Sequence, residues 1–388
     1  RLRQSAKRGA QVSILHSADD DLLIKLTSRA IVAPSQLPAM LAEVVKAVAE
    51  LKGVAVDSAL AKVGAGDTAK AIAASLVSGG NAGVLLGNFA QQHPQAASLN
   101  ALAQQLAGLL GGKFGFLGEA ANSVGGYVAK AVPGTTGLNA AAMLKDPRQA
   151  YVVVGAEPEL DCADGAQALA ALTKAAAVVV LSPFKSQAML DYAAVLLPVS
   201  PFSETSGTFV NTEGRAQSFY AAAKPLGDTR PAWKVLRVLG NLLAFNGFEF
   251  NSSEDVRAEA LNGQPQFVSG LDNGVDGIAP NLTAAAGGIE RVADVPIHFA
   301  DSLVRRAPAL QKAADSAAPT VRMNAAMLAK FGLAAGGNAR VGAGATASVT
   351  LPVQLDAALP DGVVRVAAAH AASLALGPMS GVLSVEKA

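Results

Sequence analysis

The chain has 388 residues, 51% of them hydrophobic and 16% charged, so it can bury a core large enough for two or three domains and is not a disordered polymer. Its 31 Lys and Arg nearly balance 30 Asp and Glu, which gives no polyanion signal, and aromatics at 5% are too sparse for a base-stacking platform; both speak against nucleic acid as a partner. Cys162, the one cysteine, excludes an internal disulfide and a cysteine-ligated iron–sulfur cluster within these residues, and reads as a small buried hydrophobe.

The opening stretch "RLRQSAKRGAQVSILHS" reads as a helix end, a turn at Gly9 and a strand, without the order of charge, apolar core and cleavage site that marks a signal peptide. Because it starts at Arg1 rather than Met, the expectation is a fragment that begins inside a domain. From Gly9 to Pro198 strand-like and helix-like segments alternate, the βαβα pattern of a mainly parallel sheet flanked by helices. Candidate strands are "QVSILHS", "AGVLLGNF", "KFGFLGE", "AYVVVGAE", "AAVVVLSPF" and "AAVLLPVS", whose continuous apolar runs suit burial on both faces. Candidate helices are "SQLPAMLAEVVKAVAELKG", "DTAKAIAASLVSG", "QAASLNALAQQLAGLLGG" and "GAQALAALTKAA".

Residues 71–112 carry no Lys, Arg, Asp or Glu, and mean hydropathy is +0.34, yet "SGGN" and "QQHPQ" cut that run into pieces of about ten residues where a membrane span needs about 20. No direct membrane insertion is expected. Two Gly-rich stretches, "GAGDTA" (Gly64 to Ala69) and "GAGATA" (Gly342 to Ala347), mimic a dinucleotide fingerprint. The first follows a helix-like segment and the second has no helix after it, so neither has the strand–turn–helix context of a phosphate cradle. His16, His93, His298 and His370 lie far apart without metal-ligand spacing, so no metal site is expected.

Ligands of parallel α/β sheets bind outside the carboxyl ends of the strands. The polar loops in that position run from Gly87 to His93, Gly155 to Asp161 and Ser182 to Gln187, followed by the dense polar stretch "SETSGTFVNTEGRAQSF", Ser203 to Phe219. In it Gly207 and Gly214 are read as positions of positive φ, Asn211 and Thr212 as side chains that bond nearby backbone, and Glu213 as a partner for Arg215 or a backbone donor. The stretch is then either a self-satisfied loop or a ligand loop.

Next, "TRPAWKVLRVLGNLLAFNGFEF" reads as a helix with Pro231 at its first turn and Gly247 at its end, and "SEDVRAEAL" as a second one capped by Ser252 or Ser253. A Gly- and Asn-rich connector leads to "HFADSLVRRAPALQKAADSAA", a further expected helix with Pro308 as a kink or stop. Its Arg305 and Arg306 either grip a partner carboxylate or solvate the helix face. From Thr320 short β segments, "TVRMN", "NARVGAG", "ASVTLPVQLD", "GVVRVAAA" and "VLSVEKA", with a short helix in "MNAAMLAKFGL", predict a small antiparallel barrel. The expected division is 1–52, a remnant of an upstream α/β unit; 53–230, an α/β domain ending in the 203–219 loop; 231–319, returning helices and connector; and 320–388, the barrel.

The phrase "AVLLPVSPFSETSGTFVNTEGRAQ" and the order of α/β unit, polar loop, helices and barrel resemble the molybdopterin oxidoreductase fold. Within that fold, "KRGAQVSILHSADDDLLIKLTSRAIVAPSQL", "LLGNFAQQHPQAASL" and "ADSLVRRAPALQ" are similar to the C-terminal half of the large iron–sulfur subunit family of the proton-pumping NADH:quinone oxidoreductase, respiratory complex I. The resemblance implies a structural and subunit-contact role in a complex that moves electrons from NADH to quinone. It implies iron–sulfur clusters in a missing N-terminal half, and in this fragment no cofactor, no catalytic residue and no activity of its own. On that reading Asn211, Thr212, Glu213 and Arg215 are a vestigial cofactor loop and Arg305 and Arg306 candidate partner contacts. Implied partners are the other peripheral-arm subunits and the chain's own N-terminal half, at the cytoplasmic face of the respiratory membrane. The alternatives are a fragment of a catalytic molybdopterin enzyme, of formate dehydrogenase or nitrate reductase type, and a free nucleotide-binding α/β protein.

Overall fold

The computed structural model describes residues 1–388 except 264–271, 284–286 and 345–346. Part of the Gly- and Asn-rich connector and two residues of "GAGATA" therefore lie outside the described residues. The chain divides into two compact units, one of Arg1–Leu117, Gly274–Pro296 and Ala318–Ala388, the other of Gly118–Asn273 and Ile297–Ala317. The break after Leu117 falls inside the segment 53–230 that the sequence presents as one α/β domain.

In the first unit β1 (Ser13–His16) pairs in parallel with β2 (Ser28–Ile31), and β3 (Gly83–Leu86) with β4 (Lys113–Phe116). The β2 segment "SRAI", short and interrupted by Arg29, is absent from the expected strands. Helices Leu37–Lys52, Asp67–Ser78 and Ala96–Leu110 form where the sequence places them. Leu41, Val44, Val45 and Val48 recur at helical spacing, and their stripe packs with Leu60, Ile72 and Leu102 in one core.

The second unit holds a three-stranded parallel sheet in the order β5 (Ala150–Val154), β6 (Ala177–Ser182), β7 (Val195–Pro198). Helices Gly165–Lys174 and Gln187–Tyr192 connect these strands, and Leu172, Val178, Val180, Met189 and Tyr192 form the core between the helices and one face. The other face corrects the expectation of burial on both sides: Val152 and Val195, cross-strand neighbours of Val179, are 56% and 46% exposed. Both crossovers lie on the same side of the sheet, so a continuous apolar run here is half covered.

After β7 the polar stretch forms a hairpin of β8 (Gly207–Val210) and β9 (Ala216–Phe219). Helix Ala232–Leu242 follows Pro231 and stops before the expected Gly247, and helix Ser253–Leu261 begins with a capping box between Ser252 and Asp255. The expected helix around Arg305 is corrected. It is a series of short 3-10 turns, Ile297–Phe299, Val304–Arg306, Leu310–Lys312 and Ala314–Ser316. Asp301 Oδ1 accepts the backbone N–H groups of Leu303 and Val304, competing with helical bonding, and Pro308 removes a donor in mid-segment.

Back in the first unit, β10 (Ile289–Val292), β11 (Val321–Met323), β12 (Asn338–Ala343), β13 (Ala347–Leu355), β14 (Val363–Arg365) and β15 (Val382–Lys387) close a barrel in the order β10-β14-β11-β13-β12-β15. The pairings β10–β14 and β11–β13 are parallel and the others antiparallel. Val321, Met323, Ala339, Val341 and Val364 fill its centre. The closing strand, β10, is "IERV", too short and too charged to read as a strand from sequence. Among the described residues no helix is long and apolar enough to cross a membrane.

Candidate functional site

The parallel strands of the second unit aim their carboxyl ends at the loops 155–161 and 182–187, and the structure builds a charged cluster there. Glu157 leaves the end of β5 and is 1% exposed. Its Oε2 accepts hydrogen bonds from Arg305 Nη1 at 2.9 Å and Arg306 Nη1 at 3.2 Å, and its Oε1 accepts from Arg306 Nη2. Asp161, one helical turn on, takes Arg305 Nη2 with Oδ1 and the Glu157 backbone N–H with Oδ2 at 2.7 Å. Arg306 stacks over the ring of Phe184, from the loop after β6, at 4.6 Å. Carbonyls hold the guanidiniums from behind: Arg305 Nε donates to Phe299 O and Arg306 Nη1 to Ser302 O, both at 3.0 Å.

Burial by itself raises the Glu157 carboxyl, but the hydrogen bonds from Arg306 and Arg305 outweigh it and hold its pKa below the ordinary 4.5. Beside it Glu159, 7% exposed, is pushed the other way by burial and by the charges of Glu157 and Asp161; its Oε2 finds no hydrogen-bond partner among the described residues. Burial and the same carboxylates raise the Tyr192 phenol. Burial also raises the Cys162 thiol, with Asp161, Glu159 and Asp164 adding to it, so the cysteine has no thiolate character at neutral pH. Within the cluster the charges of Glu157, Asp161, Arg305 and Arg306 satisfy each other.

The corresponding position in the first unit is also bridged by the chain itself. Past β1, Asp20 accepts Arg365 Nη1 at 2.6 Å and Nη2 at 3.1 Å, while Asp294 takes Arg365 Nε at 3.0 Å. Past β2, the barrel residue Glu290 accepts the Ser35 backbone N–H at 2.8 Å and its hydroxyl at 2.6 Å. Past β3, Phe89 stacks on His16 at 4.9 Å, and buried His93 bonds Pro34 O at 3.0 Å. In the "GAGDTA" stretch the Gly66 N–H, a donor a phosphate would need, goes to Glu43 Oε2 at 3.0 Å. Among the described residues no group of three or more His, Cys, Asp or Glu is placed to hold a metal ion.

The 203–219 candidates lie together in the β8–β9 turn. Asn211 organises it: its Oδ1 accepts the N–H of Glu213 at 3.0 Å and of Arg215 at 2.9 Å, and Gly214 turns the chain with φ 76°. Glu213 and Arg215 do not pair with each other among the ion pairs of the described residues. Gly207 corrects the positive-φ reading. It sits in β8, and a Cβ there would meet Phe219 Cζ at 2.7 Å, so the residue is small because a ring covers it. Asn122 Oδ1 pins the hairpin by accepting the Val210 N–H at 2.8 Å.

Sequence reasoning singled out Arg305 and Arg306 but not the acids they meet. Glu157 and Asp161 stand one helical turn apart directly after an aliphatic strand, a legible signal for an acidic strand-end pair. Their pairing across 148 and 144 residues is not legible.

Comparison with known proteins places this geometry in context. The family described as molybdopterin oxidoreductase matches residues 10–242. A Staphylococcus aureus (strain MRSA252) protein whose given name marks it provisionally as a formate dehydrogenase is 53% identical over 55 residues, 14% of this chain and 6% of that protein. A similarly named protein of strain USA300 is 44% identical over 77 residues, 20% of this chain and 8% of its own. Each match thus spans less than a tenth of the relative's length. The acetylene hydratase of Pelobacter acetylenicus superposes with a TM-score of 0.70 at 11% identity, over 100% of this chain and 75% of that one, a likeness of fold alone.

Proposed function

The chain belongs to the molybdopterin oxidoreductase family, and from that premise we propose that it is a cofactor-free structural part of a larger electron-transfer enzyme, of the kind found in the large iron–sulfur subunit of the NADH:quinone oxidoreductase of respiratory complex I. The observation that carries this reading is the self-filled strand-end position. A pterin linked to a diphosphate would need donors and open space where β5 and β6 end. There Glu157 and Asp161 take the guanidinium donors, and Arg306 covers Phe184. These residues do not fit the group, and no chemical step is derived through it.

In this role the chain supplies rigid surface. Electrons would pass through iron–sulfur clusters on polypeptide outside these residues, and attachment to the respiratory membrane would run through other subunits. The names of the relatives favour a second reading, part of a catalytic molybdopterin enzyme of formate dehydrogenase type. On the comparisons alone that reading is the better supported; the filled strand ends are what put the first ahead.

Affinity capture of the native protein from its source membranes separates the two. The first reading expects NADH-oxidising activity to co-purify, with no stoichiometric molybdenum or tungsten and no extractable pterin on this chain. Formate-oxidising activity accompanied by near-stoichiometric molybdenum would establish the second.

A further inference from the structure

We propose that the outward side of helix Ala232–Leu242 is a docking surface for an amphipathic helix with an acidic flank, carried by another polypeptide of the enzyme. The inference rests on the reading of this chain as part of a larger enzyme. Successive helical residues turn by about 100°, so Lys234, Arg237 and Asn241 share one narrow polar edge and the rest of the circumference is apolar. A helix of that pattern is built to be covered on more than one side. The chain itself covers one side: Phe248 lies against Gly240, and Phe250 O accepts Arg237 Nη1 at 2.8 Å.

The side away from Gly240 is bare. Val235, Val238, Leu239 and Leu242 stand there three and four residues apart; Val235 is half-buried, Val238 and Leu239 are exposed, and Leu242 is 79% exposed. Such rows form ridges that take the grooves of a second helix, over a length of about 10 Å. Charge selects the partner. Residues 224–249 hold four bases, Lys224, Arg230, Lys234 and Arg237, against two acids, Asp228 and Glu249. None of the four bases forms an ion pair among the described residues. Lys234 Nζ lies instead over the Trp233 ring, 5.4 Å from its centroid. Acidic side chains beside the partner's apolar stripe would neutralise this excess, whereas a second copy would bring the same bases to it. A helix lying on lipid turns a charged face to water opposite its apolar one; here the side opposite the stripe is packed under Phe248. A protein helix therefore fits this surface better than a lipid headgroup layer.

The test titrates the full chain with a synthetic heptad peptide of about 21 residues, leucine at positions a and d and glutamate at e and g, and with its counterpart carrying lysine at e and g. Calorimetry and the emission of Trp233, on the docking helix itself, are the readouts. The glutamate peptide should bind roughly tenfold more tightly than the lysine peptide, a preference set by the flanking charge. Val238→Glu/Leu242→Glu, which changes only exposed side chains, should abolish binding with circular dichroism unaltered, and Lys234→Glu should erase the preference. Equal affinity for the two peptides, no binding of either, or binding that survives the double variant overturns the proposal. So does flotation of the chain on phosphatidylglycerol vesicles, or a dimer in sedimentation, that the double variant abolishes, since the face then belongs to lipid or to a second copy. If the double variant loses native circular dichroism, Lys234→Glu decides: loss of the preference supports the site and an unchanged preference overturns it. Affinity capture of the native protein without any companion polypeptide would remove the underlying reading and leave the peptide result standing.

Discussion

Replacing Arg305 by methionine keeps most of the side chain's bulk and removes its charge from the middle of the strand-end cluster. The Arg305 side chain is 7% exposed and that of Glu157 2%, so water does little to screen the pair. Breaking a buried pair by removing one partner costs about 3–5 kcal/mol, because the other charge stays buried. Glu157 would keep the bonds from Arg306, and Asp161, with 28% side-chain exposure, can turn to solvent, so the lower end applies, about 3 kcal/mol. Arg306→Met should cost less, about 1–2 kcal/mol, since its side chain is 30% exposed and Arg305 still compensates Glu157. Trp233, the chain's one tryptophan, lies in the same unit, so its emission in a urea titration follows the unit that carries the cluster. With a slope of roughly 2 kcal/mol per molar urea, Arg305→Met should lower the midpoint by about 1.5 M. Combined with Glu157→Gln it should show a coupling of about 1–3 kcal/mol. Additive effects, or a loss under about 1 kcal/mol for Arg305→Met, would refute a buried cooperative network.

The two hairpin glycines should fail differently. Gly207→Ala should cost about 1–3 kcal/mol by overpacking against Phe219 and be rescued by Phe219→Leu, whereas Gly214→Ala should cost about 1–2 kcal/mol through its positive φ with no such rescue; thermal melts of the double variants decide. Glu159→Gln should raise stability at pH 7 by about 1 kcal/mol and do little at pH 4, because it removes a buried carboxyl whose charged form is disfavoured; destabilisation at pH 7 would contradict that role. Burial holds His16, His93 and His370 below the ordinary 6.5, so the unfolded chain takes up protons first as pH falls. Stability should be fully present above 6.5 and decline below it, and His93→Gln should flatten that decline in a pH series of melts. Glu157 acts at lower pH: its depressed pKa contributes stability above 4.5 that is lost as pH falls through the folded-state value, a loss that should be missing in Glu157→Gln.

Local chemistry made much of this protein readable from residues alone. Aliphatic runs marked β1 and β3 to β7, helical spacing marked Leu37–Lys52 and Ala96–Leu110, the Ser252–Ser253 pair announced its helix, and Gly214 and Asn211 marked a self-bonded polar loop after β7, though not that it is a hairpin of two strands. These signals are legible because each depends on neighbours within a few residues. What tertiary structure decided depends on partners far along the chain. β2 and β10 are strands because a parallel neighbour and an open barrel edge complete their hydrogen bonds, not because "SRAI" or "IERV" favours extension. Gly207 is small because Phe219 folds over it. The segment around Arg305 abandons the helix its sequence suggests, since Asp301 bonds the backbone locally. Its two guanidiniums meet the buried carboxylates of Glu157 and Asp161, which lie 148 and 144 residues before Arg305. A buried charge must find its counter-charge wherever folding brings one, and that pairing closed the strand end that the sequence alone left open.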